Sequence, residues 1–349
     1  MRRIRTLTLG ALILIVGVAG ACGDSATAPA SPAASPTAPT TPTTTPTPTT
    51  TPAPSTTPGC GVTSVGFTPL NDLTGGTYRD QPGGLYPGRT NAHPDQAAGL
   101  ALARTIQPRN SAGAPDTNGT YALVSIGMSN TTMEFAAFKK MADADAGRDP
   151  HLVIVDGAQG GQTAALWANP ACACWGVLDS RLQAAGVSAA QVAVVWLKEA
   201  DAGPTSGWPS HAAQLKNEIE TMLQLLKQRF ANLQIAYLSS RIYAGYATSA
   251  LNPEPYAYEG AFSVRGVIQD QQTGQGGIDY RSGQAPWVAW GPYLWADGLR
   301  PRSDGLTWAC SDLSASDGTH PSASGQQKVA SMLLDFVRTD TTAREWFLR

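Results

Sequence analysis

The chain has 349 residues, of which 14% are charged, with a formal net charge of −2 and no run rich in Lys or Arg. That balance excludes an electrostatic nucleic-acid binder and offers no cationic face to an anionic membrane surface. Length alone would allow two domains, but residues 1–59 read as an export signal and a low-complexity tract, which leaves residues 60–349 as one domain near the upper limit for a single core.

At the N-terminus Arg2, Arg3 and Arg5 precede an apolar stretch at 7–18, too short for a comfortable membrane span, and this is the layout of an export signal over 1–21. Two cleavage readings stay open. Ala19-Gly20-Ala21 is a small-residue cleavage site, and with Cys22 after it the segment also resembles a bacterial lipobox, although Ala stands where Leu is usual. Cys22 is therefore a candidate for lipidation, which would attach the protein to a membrane. Of the five cysteines, consuming Cys22 leaves Cys60, Cys172, Cys174 and Cys310, an even set for an oxidising compartment. Two disulfides are expected, and because cysteines one residue apart rarely bridge each other, Cys172 and Cys174 should join separately to Cys60 and Cys310. A zinc site built on Cys172 and Cys174 lacks the further ligands it needs.

Residues 25–58 are Thr, Pro, Ala and Ser with no aromatic side chain and no charge, so nothing there offsets the entropy of ordering. Residues 22–59 are read as a tether. At about 3.1 Å per residue an extended polyproline helix of this length reaches roughly 100 Å.

A Gly/Pro/Asn-rich lead-in follows to about residue 116, with one helical stretch at 96–105. Residues 121–127, 151–157, 192–197 and 233–239 are then short, near-continuous apolar runs rich in β-branched side chains. Strands buried on both faces of a parallel sheet read this way. Helical patterns cover 131–144, 162–168, 211–230 and 324–337, clearest where Leu215, Ile219, Met222, Leu225 and Leu226 recur at spacings of three and four, and a last strand is expected near 287–293. This alternation predicts an α/β fold, a three-layer α/β/α sandwich around a mainly parallel sheet, with its site at the C-terminal ends of the strands.

The first strand runs into its helix through Ser129, where helix amides and the positive dipole end face any developing oxyanion. Simple capping of that helix by Ser129, Asn130 or Thr131 is the competing structural reading. Near the other end Asp317 and His320 lie three apart in a turn before a helix, a spacing that sets a carboxylate on one imidazole nitrogen and leaves the other for a serine proton. His93, His151 and His211 read as surface or packing residues.

Ile126-Gly127-Met128-Ser129-Asn130 resembles the nucleophile block of the SGNH/GDSL hydrolases, with Met128 where that family commonly has Asp, and Asp317-Gly318-Thr319-His320-Pro321 resembles its Asp-x-x-His block. The order along the chain also matches, and the resemblance spans about residues 120–340. It implies a flavodoxin-like sheet and a serine esterase near the carbohydrate acetylesterase branch, with Ser129 as nucleophile, His320 as base, Asp317 as its orienting group and no metal or organic cofactor. It also implies an oxyanion hole made from the Ser129 amide, a glycine amide after the second strand and a polar side chain after the third. By offset within 156–163 the glycine is Gly161; a nucleotide reading of this turn lacks the P-loop Lys and the dinucleotide spacing. After the third strand the chain departs from the family, because Lys198 stands where Asn or Gln is usual. Lys198 then either donates to the oxyanion as an ammonium or pairs with Glu199 or Asp201 outside the site.

Between the fourth strand and Asp317 lies an aromatic segment with Tyr243, Tyr246, Tyr256, Tyr258, Phe262, Tyr280, Trp287, Trp290, Tyr293, Trp295 and Trp308. Most of these should pack, and the remainder offer ring faces to a sugar. The expected function is an exported esterase acting on small-molecule or polysaccharide esters, with O-acyl groups on carbohydrate as the substrate class. A non-catalytic, surface-tethered carbohydrate-binding or adhesion protein on the same fold is the alternative, favoured by Met128 and Lys198 and opposed by the joint presence of Ser129, Asp317 and His320. A glycosidase using Glu199 and Asp201 fits poorly, since two carboxylates at one strand end do not flank a glycosidic bond.

Overall fold

The computed structural model describes residues 59–348; the expected export signal, Cys22 and the Thr/Pro tract through Pro58 lie outside the described residues. The chain enters through a short antiparallel hairpin, β1 (Thr77–Tyr78) with β2 (Gln81–Pro82), and a first helix, α1 (Gln96–Ala103). It then lays down β3 (Tyr121–Gly127), β4 (Leu152–Asp156), β5 (Val192–Lys198), β6 (Ile235–Ser239) and β7 (Trp287–Trp290) as one sheet in the order β4-β3-β5-β6-β7, parallel at every junction. β3 and β5 are interior strands buried along their whole length, which is why both read as near-continuous apolar runs rather than alternating ones. The direction of winding reverses at β3, so the strand ends beside Gly127 and Lys198, which pair in register, border the crevice where such sheets hold their ligands.

The connections are α2 (Ser129–Asp143), α3 (Ala164–Trp167), α4 (Ala173–Ala184), α5 (Ser210–Arg229) and α6 (Tyr256–Thr273), and the chain closes with α7 (Ala323–Thr339) and α8 (Arg344–Phe347). Right-handed crossovers send α2 to one face of the sheet and α4, α5 and α6 to the other, giving the expected three layers. α2 packs with α7, and α5 packs with α6. On the α2 face Phe135 stacks on Trp196 of β5, and Phe336 of α7 meets Tyr237 of β6 edge-on. The stripe foreseen on α5 is buried at Leu215, Ile219, Met222 and Leu226, with Leu223 added.

α4 and α6 were not anticipated. α6 carries Tyr256, Tyr258, Phe262, Gly260 and Gly266, all weak helix formers, so local propensity argues against it. Burial decides otherwise, with Ala257, Tyr258, Ala261, Phe262, Val264, Val267 and Ile268 all inside. At Gly266 a Cβ would stand 2.9 Å from Lys216 Cδ of α5, so the lysine stem lies over bare backbone there. Most of the aromatic segment packs, as expected: all of its members except Tyr256 and Tyr280 are buried, Tyr243 against Tyr246 and Tyr258 against Trp295 among them, which leaves few ring faces for a sugar.

The expected cysteine pairing is also corrected. Cys60 bridges Cys310 and Cys172 bridges Cys174, with Cα separations of 5.4 and 5.2 Å. Cys172 caps α4 in a non-helical conformation and Cys174 lies in its first turn, so the chain bends between them and brings the two Cα atoms into bridging range.

Candidate active site

β3 ends at Gly127, Met128 is extended, and α2 begins at Ser129 with no side chain capping its first turn. The capping role is therefore not the one Ser129 takes. Its Oγ lies 2.8 Å from His320 Nε2, and His320 Nδ1 lies 2.6 Å from Asp317 Oδ2. Asp317 Oδ1 accepts the amides of Thr319 at 2.8 Å and His320 at 3.0 Å, so the carboxylate that meets the imidazole also closes the turn presenting it. Burial pushes the Asp317 carboxyl up, but those two amides and the imidazole outweigh it and hold the group below its usual range. An ionised carboxylate only accepts, so Nδ1 donates to it and Nε2 is left to accept from the serine hydroxyl.

The next three side chains of α2 are each tied to a different part of the site. Asn130 Nδ2 donates to the Thr319 carbonyl at 2.9 Å, Thr131 Oγ1 donates to the Lys198 carbonyl at 2.8 Å, and Thr132 Oγ1 bonds Asp156 at the end of β4. At Gly127 a Cβ would collide with Thr131 Oγ1 and come within 2.5 Å of the Lys198 carbonyl oxygen, so only glycine fits beneath the serine.

The first amides of α2 have no intrahelical partner, as at any helix start, and so can donate to a group beside Ser129. Across from them runs the loop after β4, anchored by the Gln159 amide on the Gly127 carbonyl at 2.8 Å and by Gln159 Nε2 on the Cys174 carbonyl at 2.9 Å. Sequence offset pointed to Gly161 in this loop. A Cβ at Gly160 would sit 3.8 Å from Ser129 Cβ, and one at Gly161, whose φ is +75°, would face open space. Gly161→Ala should cost about 1 kcal/mol, because a side chain is strained at that φ, and Gly160→Ala should leave stability unchanged while lowering kcat/KM. Thermal melts and ester kinetics on the two variants check this, and the reverse ranking would count against Gly160 as the residue flanking Ser129.

Lys198 does not take either role expected of it. Its Nζ lies 2.5 Å from Glu134 Oε2 of α2, with the two side chains 1% and 0% exposed, so the ammonium is neither offered to a substrate nor paired at the surface with Glu199 or Asp201. Strand period explains this, because Trp196 and Lys198 project from β5 to the same face, where Phe135 and Glu134 of α2 receive them. Burial lowers the Lys198 ammonium to about 8 and raises the Glu134 carboxyl. Sequence reasoning missed Glu134; its signal was an acid set between Met133 and Phe135 on the helix, with Ala136, Ala137 and Phe138 beyond. His93 and His211 are buried packing residues, and His151 bonds the Gly119 carbonyl at 2.8 Å.

Burial raises two further carboxyls as well. Burial raises Glu199 well above its ordinary value, and it raises Glu254 to about 7 although the carboxylate accepts from Trp295 Nε1, Ala244 N and Tyr258 N. A carboxyl with a folded value above its unfolded one binds a proton that the unfolded chain releases. Its stabilising effect is full below about 4.5 and is lost as the pH rises through about 7. Glu254 alone should therefore lower the unfolding free energy by up to about 3 kcal/mol across that window. Urea unfolding at a series of pH values measures it, and a flat profile would contradict the assignment.

The roomier surface recesses lie along the exposed side of α5 and beside the C-terminal end of α4 at Leu182 and Val187, and none of Ser129, Asp317 and His320 lines them, so chemistry rather than size marks this site. No protein-family model matches the chain, and no curated protein matches it. Among solved structures it is similar to a candidate acylhydrolase from Bacteroides fragilis, at 15% identity and a TM-score of 0.39 over 70% of this chain and 95% of that one. It is also similar to a carbohydrate esterase family 3 protein from Talaromyces cellulolyticus and to an acetyl esterase mutant with an acetate ion, at TM-scores of 0.36 and 0.35, each at 14% identity over 61% of this chain and 94% of theirs. Overlaps this loose carry no argument, and the functional reading rests on the geometry of Ser129, His320 and Asp317.

Proposed function

We propose that the chain is an exported serine hydrolase of carboxylic esters, with Ser129 as nucleophile, His320 as general base and Asp317 as the group that orients it. The observation that carries this reading is the unbroken hydrogen-bonded line from Ser129 Oγ through the imidazole to the Asp317 carboxylate. Ser129 Oγ attacks the ester carbonyl carbon as Nε2 takes its proton, and the oxyanion of the tetrahedral intermediate meets the Ser129 amide and the amides of the turn at Gly160 and Gly161. Collapse expels the alcohol, which takes the proton back from Nε2. Water then repeats the attack and frees the acid.

Export is supported by the Arg-led apolar N-terminus and by the two disulfides, and lipid attachment at Cys22 by the lipobox pattern alone. O-acyl groups on small molecules or polysaccharide remain the proposed substrates, now without help from the buried aromatic segment. A lapsed, purely binding protein has no reason to keep a serine hydroxyl aligned on an imidazole at 2.8 Å. Labelling of the purified protein with a fluorophosphonate, followed by peptide mapping, tests the reading: modification is expected at Ser129, and a folded protein that takes no label, or takes it elsewhere, would falsify it.

A further inference from the structure

Burying an ammonium against a carboxylate is costly, and an apolar pair of similar volume is often as stable or more so, which leaves the Glu134–Lys198 contact poorly explained as a stabiliser. Its place in the fold explains it better. Lys198 is the last residue of β5 and pairs in register with Gly127, two residues before Ser129. Its carbonyl oxygen accepts from Thr131 Oγ1 at 2.8 Å and its ammonium reaches Glu134 Oε2 at 2.5 Å. Thr131 and Glu134 are three apart and so share a face of α2. One strand residue thus grips the helix bearing Ser129 at two points along its axis, through one main-chain acceptor and one charged donor. Apolar contact such as that of Phe135 with Trp196 is non-directional and tolerates sliding, whereas a charge-assisted hydrogen bond fixes direction and distance.

We propose that Glu134 and Lys198 are a positioning pair for the nucleophile, setting the rotation and axial register of α2 so that Ser129 Oγ meets His320 Nε2. The inference rests on the reading of Ser129 as nucleophile.

The test compares wild type, Glu134→Gln, Glu134→Leu and the apolar pair Glu134→Leu with Lys198→Met. Each is measured for melting temperature, for kcat and KM on p-nitrophenyl acetate, and for the rate of fluorophosphonate labelling at Ser129. Glu134→Gln keeps an acceptor oxygen of the same reach and should lose no more than about threefold in kcat. The apolar pair should melt at or above the wild-type temperature yet lose roughly ten- to a hundredfold in kcat at unchanged KM, with labelling slowed by the same factor, because a displacement of about 1 Å between reacting groups costs that much. If the apolar pair does not fold, Glu134→Leu against Glu134→Gln makes the same comparison, with the loss expected in Leu alone. Native kcat in the folded apolar pair, or equal losses in the Gln and Leu variants, overturns the positioning role. Wild-type protein that takes no label at Ser129 overturns the nucleophile reading beneath it, so the two failures are told apart.

Discussion

Ser129→Ala and His320→Ala are each expected to lower kcat on a small acetyl ester by about a thousandfold or more, with the melting temperature almost unchanged. The first removes the attacking oxygen and the second removes the nitrogen that takes its proton, Nε2 at 2.8 Å. Because the two act as one unit, the double variant should be hardly slower than either single one. Asp317→Asn should leave more residual activity, since Asp317 exchanges no proton with the substrate and acts by holding the imidazole. The unchanged melting temperature matters as much as the rate. A serine that capped α2 would cost about 1 kcal/mol on removal, and no side chain caps that helix. A stability loss with a native rate would return Ser129 to the capping role and remove the hydrolase reading.

Replacing Cys60 and Cys310 by Ser is expected to cost about 3–5 kcal/mol, whereas replacing Cys172 and Cys174 should cost no more than about 1–2 kcal/mol. The first bridge spans a sequence separation of 250 and the second a separation of 2. The chain entropy that a cross-link removes from the unfolded state grows with the logarithm of the loop it closes. Joining Cys172 and Cys174 separately to Cys60 and Cys310 would close two long loops and make the two double variants about equally unstable. Urea unfolding of both variants measures the difference, and near-equal losses would restore the crossed pairing. Thiol titration of the denatured, unreduced protein should find none of these four cysteines reactive.

The sequence by itself determined the parallel sheet and one half of the candidate site. Strands covered on both faces must be apolar at consecutive positions, so β3, β5 and β6 were visible as runs, and a contact three residues apart is local, so Asp317 and His320 could be paired from spacing alone. Ser129 was visible as the polar residue at a strand-to-helix turn, although only the tertiary structure separated nucleophile geometry from capping by placing the imidazole 2.8 Å away across 191 residues of chain. The same distance in sequence hid the remainder. Lys198 and Glu134 are 64 residues apart, and Cys60 and Cys310 are separated by 250. Periodicity tells which face a residue occupies but not which residue it meets there. α6 was missed for a related reason: tyrosine, phenylalanine and glycine have weak helix preferences, and packing against α5 and the sheet, which no local pattern encodes, settled its conformation.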